Sequence, residues 1–199
     1  MNDTFLGDAL DHWKGSLVRI LNDKQTLCDL AVEPMLTKQW PDGNLEIYRK
    51  LLNLQQQNKI YHANSTFPNR KKERQQYFQD IQHHNGDIFL DPDIGIYTGE
   101  RPKKEYITIS DIAQILTNGE SHNRVLMIYQ HLAREPVNNH RWRIQNKIGQ
   151  LNLQAPYCVY QCGQAAMIFV SLNKQRIDAI QEALISYLRG STAEMRIWS

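Results

Sequence analysis

Asp87-Ile88-Phe89-Leu90-Asp91-Pro92-Asp93 is the stretch on which the fold turns. Ile88, Phe89 and Leu90 form a short, wholly apolar run bounded by turn residues, the pattern of a buried strand. Proline has no N–H to give a central ladder, so the strand stops at Asp91. The stretch therefore predicts a core strand with a carboxylate at its carboxyl tip.

Working outward, the neighbouring segments alternate in period. On the amino-terminal side, Asp8 to Leu21 places Leu10, Leu17, Ile20 and Leu21 at helical spacing. Leu27 to Val32 reads as a strand, Leu45 to Leu54 as a helix, Lys59 to Ala63 as a second strand, and Asn69 to Gln82 as a charged helix. On the carboxyl-terminal side, a loop runs to about Tyr106. Ser110 is expected to cap a helix over 111–116, which Asn118-Gly119 ends. Arg124 to Tyr129 is a further buried strand and Asn139 to Leu151 a basic helix. Tyr157 to Tyr160 and Ala165 to Leu172 form a strand pair through Gly163, and Lys174 to Leu188 is an amphipathic helix. Strands alternating with helices imply parallel pairing with right-handed crossovers. The expected fold is α/β: a doubly wound, mostly parallel, Rossmann-like sheet ending in an antiparallel strand pair. No linker divides residues 1–199, so one domain is expected.

The totals suit such a domain. The chain has 199 residues, 41% hydrophobic and 22% charged, with a formal net charge of +2, all ordinary for a globular protein. No apolar run reaches bilayer-spanning length, and the acidic, polar opening is unlike a secretory signal, so a cytoplasmic protein without a membrane partner is expected. Cys28, Cys158 and Cys162 are odd in number and form no C-x-x-C pair, which points to reduced, mostly buried thiols and away from a structural zinc.

In an open α/β sheet, ligands bind outside the carboxyl ends of the strands. Those ends are expected to bring Pro34 to Thr37 with Trp40, Asn64 to Thr66, Asp91, Asp93, Gln130 and His131 to one crevice. Asp91, held by Pro92, could accept a hydrogen bond or proton from a substrate amine; Asp-Pro also starts turns, the purely structural alternative. His131 is a candidate base, and Lys14 and His12 are candidates on the first helix. Trp40 is expected in the core. Arg70, Lys71, Lys72 and Arg74 form one basic cluster, Arg101, Lys103 and Lys104 a second, and Arg134, His140, Arg141, Arg143 and Lys147 a third. Such clusters can track a phosphate backbone, although solvated surface faces are the commoner case.

The opening Gly7-Asp8-Ala9-Leu10-Asp11-His12-Trp13-Lys14, the later Asp91-Pro92, the strand at Val125 to Tyr129 and the late strand at Ala166 to Val170 together resemble the S-adenosylmethionine-dependent methyltransferases. The element order is most similar to the ribosomal RNA adenine-N6 methyltransferases of the large-subunit J type. The resemblance implies S-adenosylmethionine as cofactor and a nucleic-acid base amine as target. It carries over Asp91 and Pro92 as the catalytic pair and Lys14 as the cofactor-side lysine; the methyltransferase reading adds Asp93 and His131 as catalytic candidates from their strand-end positions, and Glu33, Met35 and Thr37 as the cofactor pocket. It also implies a nucleic-acid surface at Arg70, Lys71, Lys72, Arg74, Arg141, Arg143 and Lys147. Two departures stand out: Asp93-Ile94 replaces the family's Pro-Tyr, and Val32 to Thr37 contains no glycine, the residue on which a close cofactor turn relies.

Two other readings stay open. Asp93, Glu100 and Lys103 are similar to a Pro-Asp…Glu-x-Lys nuclease core, in which two acids hold a divalent cation. A non-enzymatic binding protein on a decayed methyltransferase fold is the other.

Overall fold

The computed structural model describes residues 4, 6–99, 103–117, 123–132, 137–151, 154–190 and 196–199. In chain order its elements are α1 (Ala9–Asp23), β1 (Ala31–Glu33), α2 (Asn44–Leu51), α3 (Lys71–Tyr77), α4 (Gln79–Gln82), β2 (Ile88–Leu90), β3 (Gly95–Tyr97), β4 (Tyr106–Thr108), α5 (Ile109–Thr117), β5 (Val125–His131), α6 (Val137–Gly149), β6 (Tyr157–Cys162), β7 (Ala165–Ser171), α7 (Lys174–Leu188) and β8 (Ile197–Trp198).

The six-stranded sheet runs β1-β2-β5-β7-β6-β8. The Ile88–Leu90 run sits between β1 and β5 and is parallel to both. Beyond β5 every pairing is antiparallel. The sheet is thus mixed, not mostly parallel. The expected β6–β7 hairpin, joined by two residues with Gly163 at φ 57°, is antiparallel as a turn that short requires, and β7 against β5 and β8 against β6 add two further antiparallel pairings. β7 then enters the sheet between β5 and β6.

The period-two alternation of the strands divides the core into two layers. Ala31, Ile88, Leu90, Leu126, Ile128, Ala166 and Ile168 point to one face, where α3, α4, α5 and α6 pack with Tyr77, Ile81, Ile112 and Ile144. Val32, Phe89, Met127, Tyr129, Met167 and Phe169 point to the other, beneath Leu17, Tyr48 and Ile180 of α1, α2 and α7. Helices therefore cover both faces. α1 and α2 meet backbone to backbone at Gly15, where a Cβ would lie 1.8 Å from the Leu51 carbonyl oxygen.

Several local expectations change. Lys59 to Ala63 is not a strand; Ile60 makes a single parallel bridge to Val32. The helix expected over Asn69 to Gln82 breaks at the fully buried Phe78, which separates α3 from α4. The loop after Asp93 contains the small parallel pair β3–β4. Ser110 is not the cap of α5. Thr108 and Asp111 fill that role: the Asp111 carboxylate accepts from Thr108 N at 2.8 Å, and Asp111 N donates to Thr108 Oγ1 at 3.2 Å, a reciprocal arrangement like a capping box. Asn118-Gly119 lies outside the described residues. Of the cysteines, Cys158 is buried, with its thiol pushed up to about 12 by burial, whereas Cys28 is exposed rather than buried. No helix among the described residues is long and apolar enough to cross a membrane.

Candidate functional site: two polar clusters at the carboxyl rim

Asp91 follows β2 directly, and its N–H donates to Glu33 O at the end of β1. The two residues sit side by side on the rim, yet their side chains leave the sheet in opposite directions. Asp91 falls in step with Phe89 and faces α1 and α2; Glu33 falls in step with Ala31 and faces α3. The expected single crevice is therefore two clusters back to back.

On the α1–α2 face, Lys14 Nζ donates to Asp11 Oδ1 and Asp91 Oδ2, both at 3.0 Å. Tyr48 O–H donates to Asp91 Oδ2 at 2.7 Å, and the ammonium lies 4.4 Å above the Tyr129 ring. Asp11 is held in turn by Gly7 N–H, and Asp8 caps α1 through Leu10 N–H and Asp11 N–H. Burial alone would pull the Lys14 pKa down, but Asp91 and Asp11 outweigh it, and the ammonium is held more firmly charged than usual. Burial raises Asp11, with Lys14 opposing; burial also raises Tyr48, and Asp91 adds to that. Two carboxylates face one ammonium here. Asp91 Oδ1 lies 2.9 Å from Nζ but is not aligned for a hydrogen bond, and no other group supplies one. The indole N–H of Trp40, a core residue as expected, is likewise buried and unbonded, and the ring packs edge-on against Tyr48 at 5.1 Å.

On the α3 face, the fully buried Glu33 carboxylate takes three donors. Met35 N–H reaches Oε1 at 2.8 Å, Tyr77 O–H reaches Oε1 at 2.6 Å, and His62 Nδ1 lies 2.7 Å from Oε2. The imidazole stacks on Tyr77 at 3.7 Å, and its Nε2 faces outward, 3.8 Å from Asp80 Oδ2. Met35 and His62 both have left-handed backbones, φ 48° and 43°, unusual for side chains of this size and a form of strain that gathers at functional sites. Each is a residue that touches Glu33.

The expected site residues thus separate. Lys14 joins Asp91. Glu33 and Met35 lie on the opposite face, Met35 fully buried, and Thr37 donates to Asp93 Oδ2 at 2.8 Å. Pro92 is buried just past the end of β2. His131 is exposed at the end of β5, with Nδ1 3.5 Å from the Tyr129 hydroxyl. Asp11, Tyr48, His62 and Tyr77 were not singled out from the sequence. The i, i+3 spacing of Asp11 and Lys14 was the one visible signal; the others depend on long-range packing.

The basic clusters also resolve. Arg70, Lys71 and Lys72 are exposed. Arg74 is buried: it pairs with Asp111 and donates to the carbonyls of Pro68, Lys103 and Tyr106. It is a structural staple and cannot present its charge to a phosphate. Lys147 is partly buried, with Nζ donating to Ile96 O at 2.7 Å and Gln130 Oε1 at 3.1 Å. Arg141 and Arg143 are exposed. Arg101, Arg134 and Glu100 lie outside the described residues. Asp93 is engaged by Thr37, and among the described residues no three His, Cys, Asp or Glu gather to hold a metal. A surface pocket of about 400 Å³ between α3, α4 and α5, lined by Lys71, Gln75, Gln82 and Gln114, shares no residue with either rim cluster.

Compared with known proteins, the chain matches no family, no curated protein and no solved structure.

Proposed function

We propose that the chain is a methyltransferase-like protein on a doubly wound, Rossmann-like scaffold, acting on a nucleic-acid base amine with S-adenosylmethionine. The observation behind the reading is Asp91 Oδ1, at the tip of a central parallel strand: it is buried, and its close ammonium, Lys14 Nζ at 2.9 Å, is not aligned to donate to it. A buried acceptor short of an aligned donor can take one more hydrogen bond. Two carboxylates around one ammonium leave an excess of negative charge, which suits a cation or an amine N–H. The β6–β7 hairpin is the ending that the family resemblance implies.

The residues fit the cofactor unevenly. The Asp91–Lys14 cluster suits a cationic sulfonium by charge. Glu33, Met35 and Thr37 do not form a cradle, since Glu33 is saturated by three donors and Met35 is packed into the core. When bound, S-adenosylmethionine supplies an electrophilic methyl group. The chain's own contribution is positional: Asp91 accepts an N–H and Lys14 fixes the carboxylate.

Calorimetric titration with S-adenosylmethionine and S-adenosylhomocysteine tests the reading. Micromolar binding that is lost in Asp91→Asn, with the fold intact by circular dichroism, is the expected result. No binding to either ligand sinks it. It would leave the second reading, a non-enzymatic protein, which the full enclosure of Asp91 and Tyr48 favours.

A further inference from the structure

α6 carries Arg141, Arg143 and Lys147 and not one carboxylate. Its inner face is committed: Ile144 and Ile148 enter the core, and His140 is buried with Gln161 Nε2 3.2 Å from its Nδ1. Its outer face exposes Asn139, Arg141, Trp142, Arg143 and Asn146. Trp142 is 65% exposed, the most exposed large apolar side chain among the described residues. Asn139 and Asn146, three before and four after it, lie on the same helical stripe. Arg141 and Arg143 flank it, with the Arg141 guanidinium 5.1 Å over the Trp198 ring. The position is the carboxyl rim. His140 is anchored to Gln161, Gln161 and Gln130 both pair with Ala166, and Gln130 is one residue beyond the level of Tyr129.

We propose that this face binds an unpaired strand of nucleic acid, with Trp142 stacking on one base and the flanking arginines meeting phosphates. The surroundings of the indole select this partner over a protein. Among the described residues its neighbours at helical spacing are Asn139, Gln145 and Asn146, and Ile144 and Ile148 turn inward, so the ring stands among amides and cations. A protein interface needs a contiguous apolar core, whereas a single flat base needs one aromatic face and nearby positive charge. A duplex keeps its bases stacked inside and offers no free face to the ring. The inference rests on the proposed function only in sharing a nucleic-acid target, and its test needs no cofactor.

The test is fluorescence anisotropy of the full chain with a labelled, unstructured oligonucleotide of about a dozen nucleotides, beside the same sequence as a blunt duplex. Tighter binding of the single strand is expected. Trp142→Ala should weaken it at least about ten-fold, and Trp142→Phe should restore most of the loss. Arg143→Ala should lower the slope of log affinity against log salt by about one. Trp142 is exposed and points away from the core, so neither variant endangers folding. Equal binding of the duplex, indifference to Trp142→Ala, or no binding at all overturns the proposal. So does a Trp142-dependent affinity for vesicles of phosphatidylserine and phosphatidylcholine without affinity for the strand. Strand binding without S-adenosylmethionine binding removes the methyltransferase reading and leaves this one standing; the reverse result removes only this one.

Discussion

Lys14 Nζ lies 2.9 Å from one oxygen of Asp91 and 3.0 Å from the other, tying the middle of α1 to the tip of β2 with almost no solvent at either partner. Removing one member of a buried pair strands the other charge and costs about 3–5 kcal/mol. Lys14→Met is expected to lower unfolding stability by that order in urea titrations. The pair replaced together, Lys14→Met with Asp91→Leu, should lose less than the sum of the single losses. Additive losses would show that the two charges are not coupled.

The buried arginine gives a contrast within one cluster. Arg74→Ala removes the partner of Asp111 and the donor to three carbonyls, so a loss of about 3–5 kcal/mol is expected. Arg70→Ala, Lys71→Ala and Lys72→Ala, all exposed, should stay within about 0.5 kcal/mol. Denaturation midpoints of the four variants check this directly; a mild Arg74→Ala would remove the staple from the account.

Alkaline pH should destabilise the fold. Tyr48 and Tyr77 titrate above the ordinary 10.0 because burial disfavours the phenolate, and the carboxylates of Asp91 and Glu33 add to this. Burial raises Tyr129 as well, against the pull of Lys14. The folded chain therefore holds these protons more tightly. Above about pH 10 the unfolded chain loses them first, and stability falls by up to about 1.4 kcal/mol per pH unit for each tyrosine. Urea midpoints across this range should decline steeply, and Tyr77→Phe should remove one share of the slope.

Lys147 acts with the opposite sign just below that range. Burial, with Arg143 adding to it, pushes its ammonium down to about 8 from 10.5. Between these values the unfolded chain binds the proton more tightly, so stability rises with pH until the tyrosines reverse the trend. Lys147→Met should flatten the rise; an unchanged profile in that variant would reject the assignment.

Much of the scaffold was legible in the sequence, because buried strands and amphipathic helices leave local periodicity. The 87–93 stretch placed Asp91 at the strand tip, and Pro92 marked the stop. What failed was register and direction. Pleat alternation sends Asp91 and Glu33 to opposite faces, and only pairing across β1 and β2 reveals it. Tyr48, His62 and Tyr77 reach the rim from segments far away in the chain, which no local pattern encodes. Arg74 looked like its exposed neighbours because helical charge alone does not report the carboxylate waiting in α5. β3 and β4 are too short to leave a period of their own.

The contact at Gly15 fixes the spacing of the two helices that hold Asp91. With less than a methyl group of space between Gly15 and the Leu51 carbonyl, and with Asn53 Nδ2 bonded to Gly15 O at 3.0 Å, α2 has no lateral play against α1. The helices that bring Lys14 and Tyr48 to Asp91 are thereby held at one separation. A single methyl group at position 15 would push them apart, and the carboxylate would lose its two donors to a change in the helix contact alone.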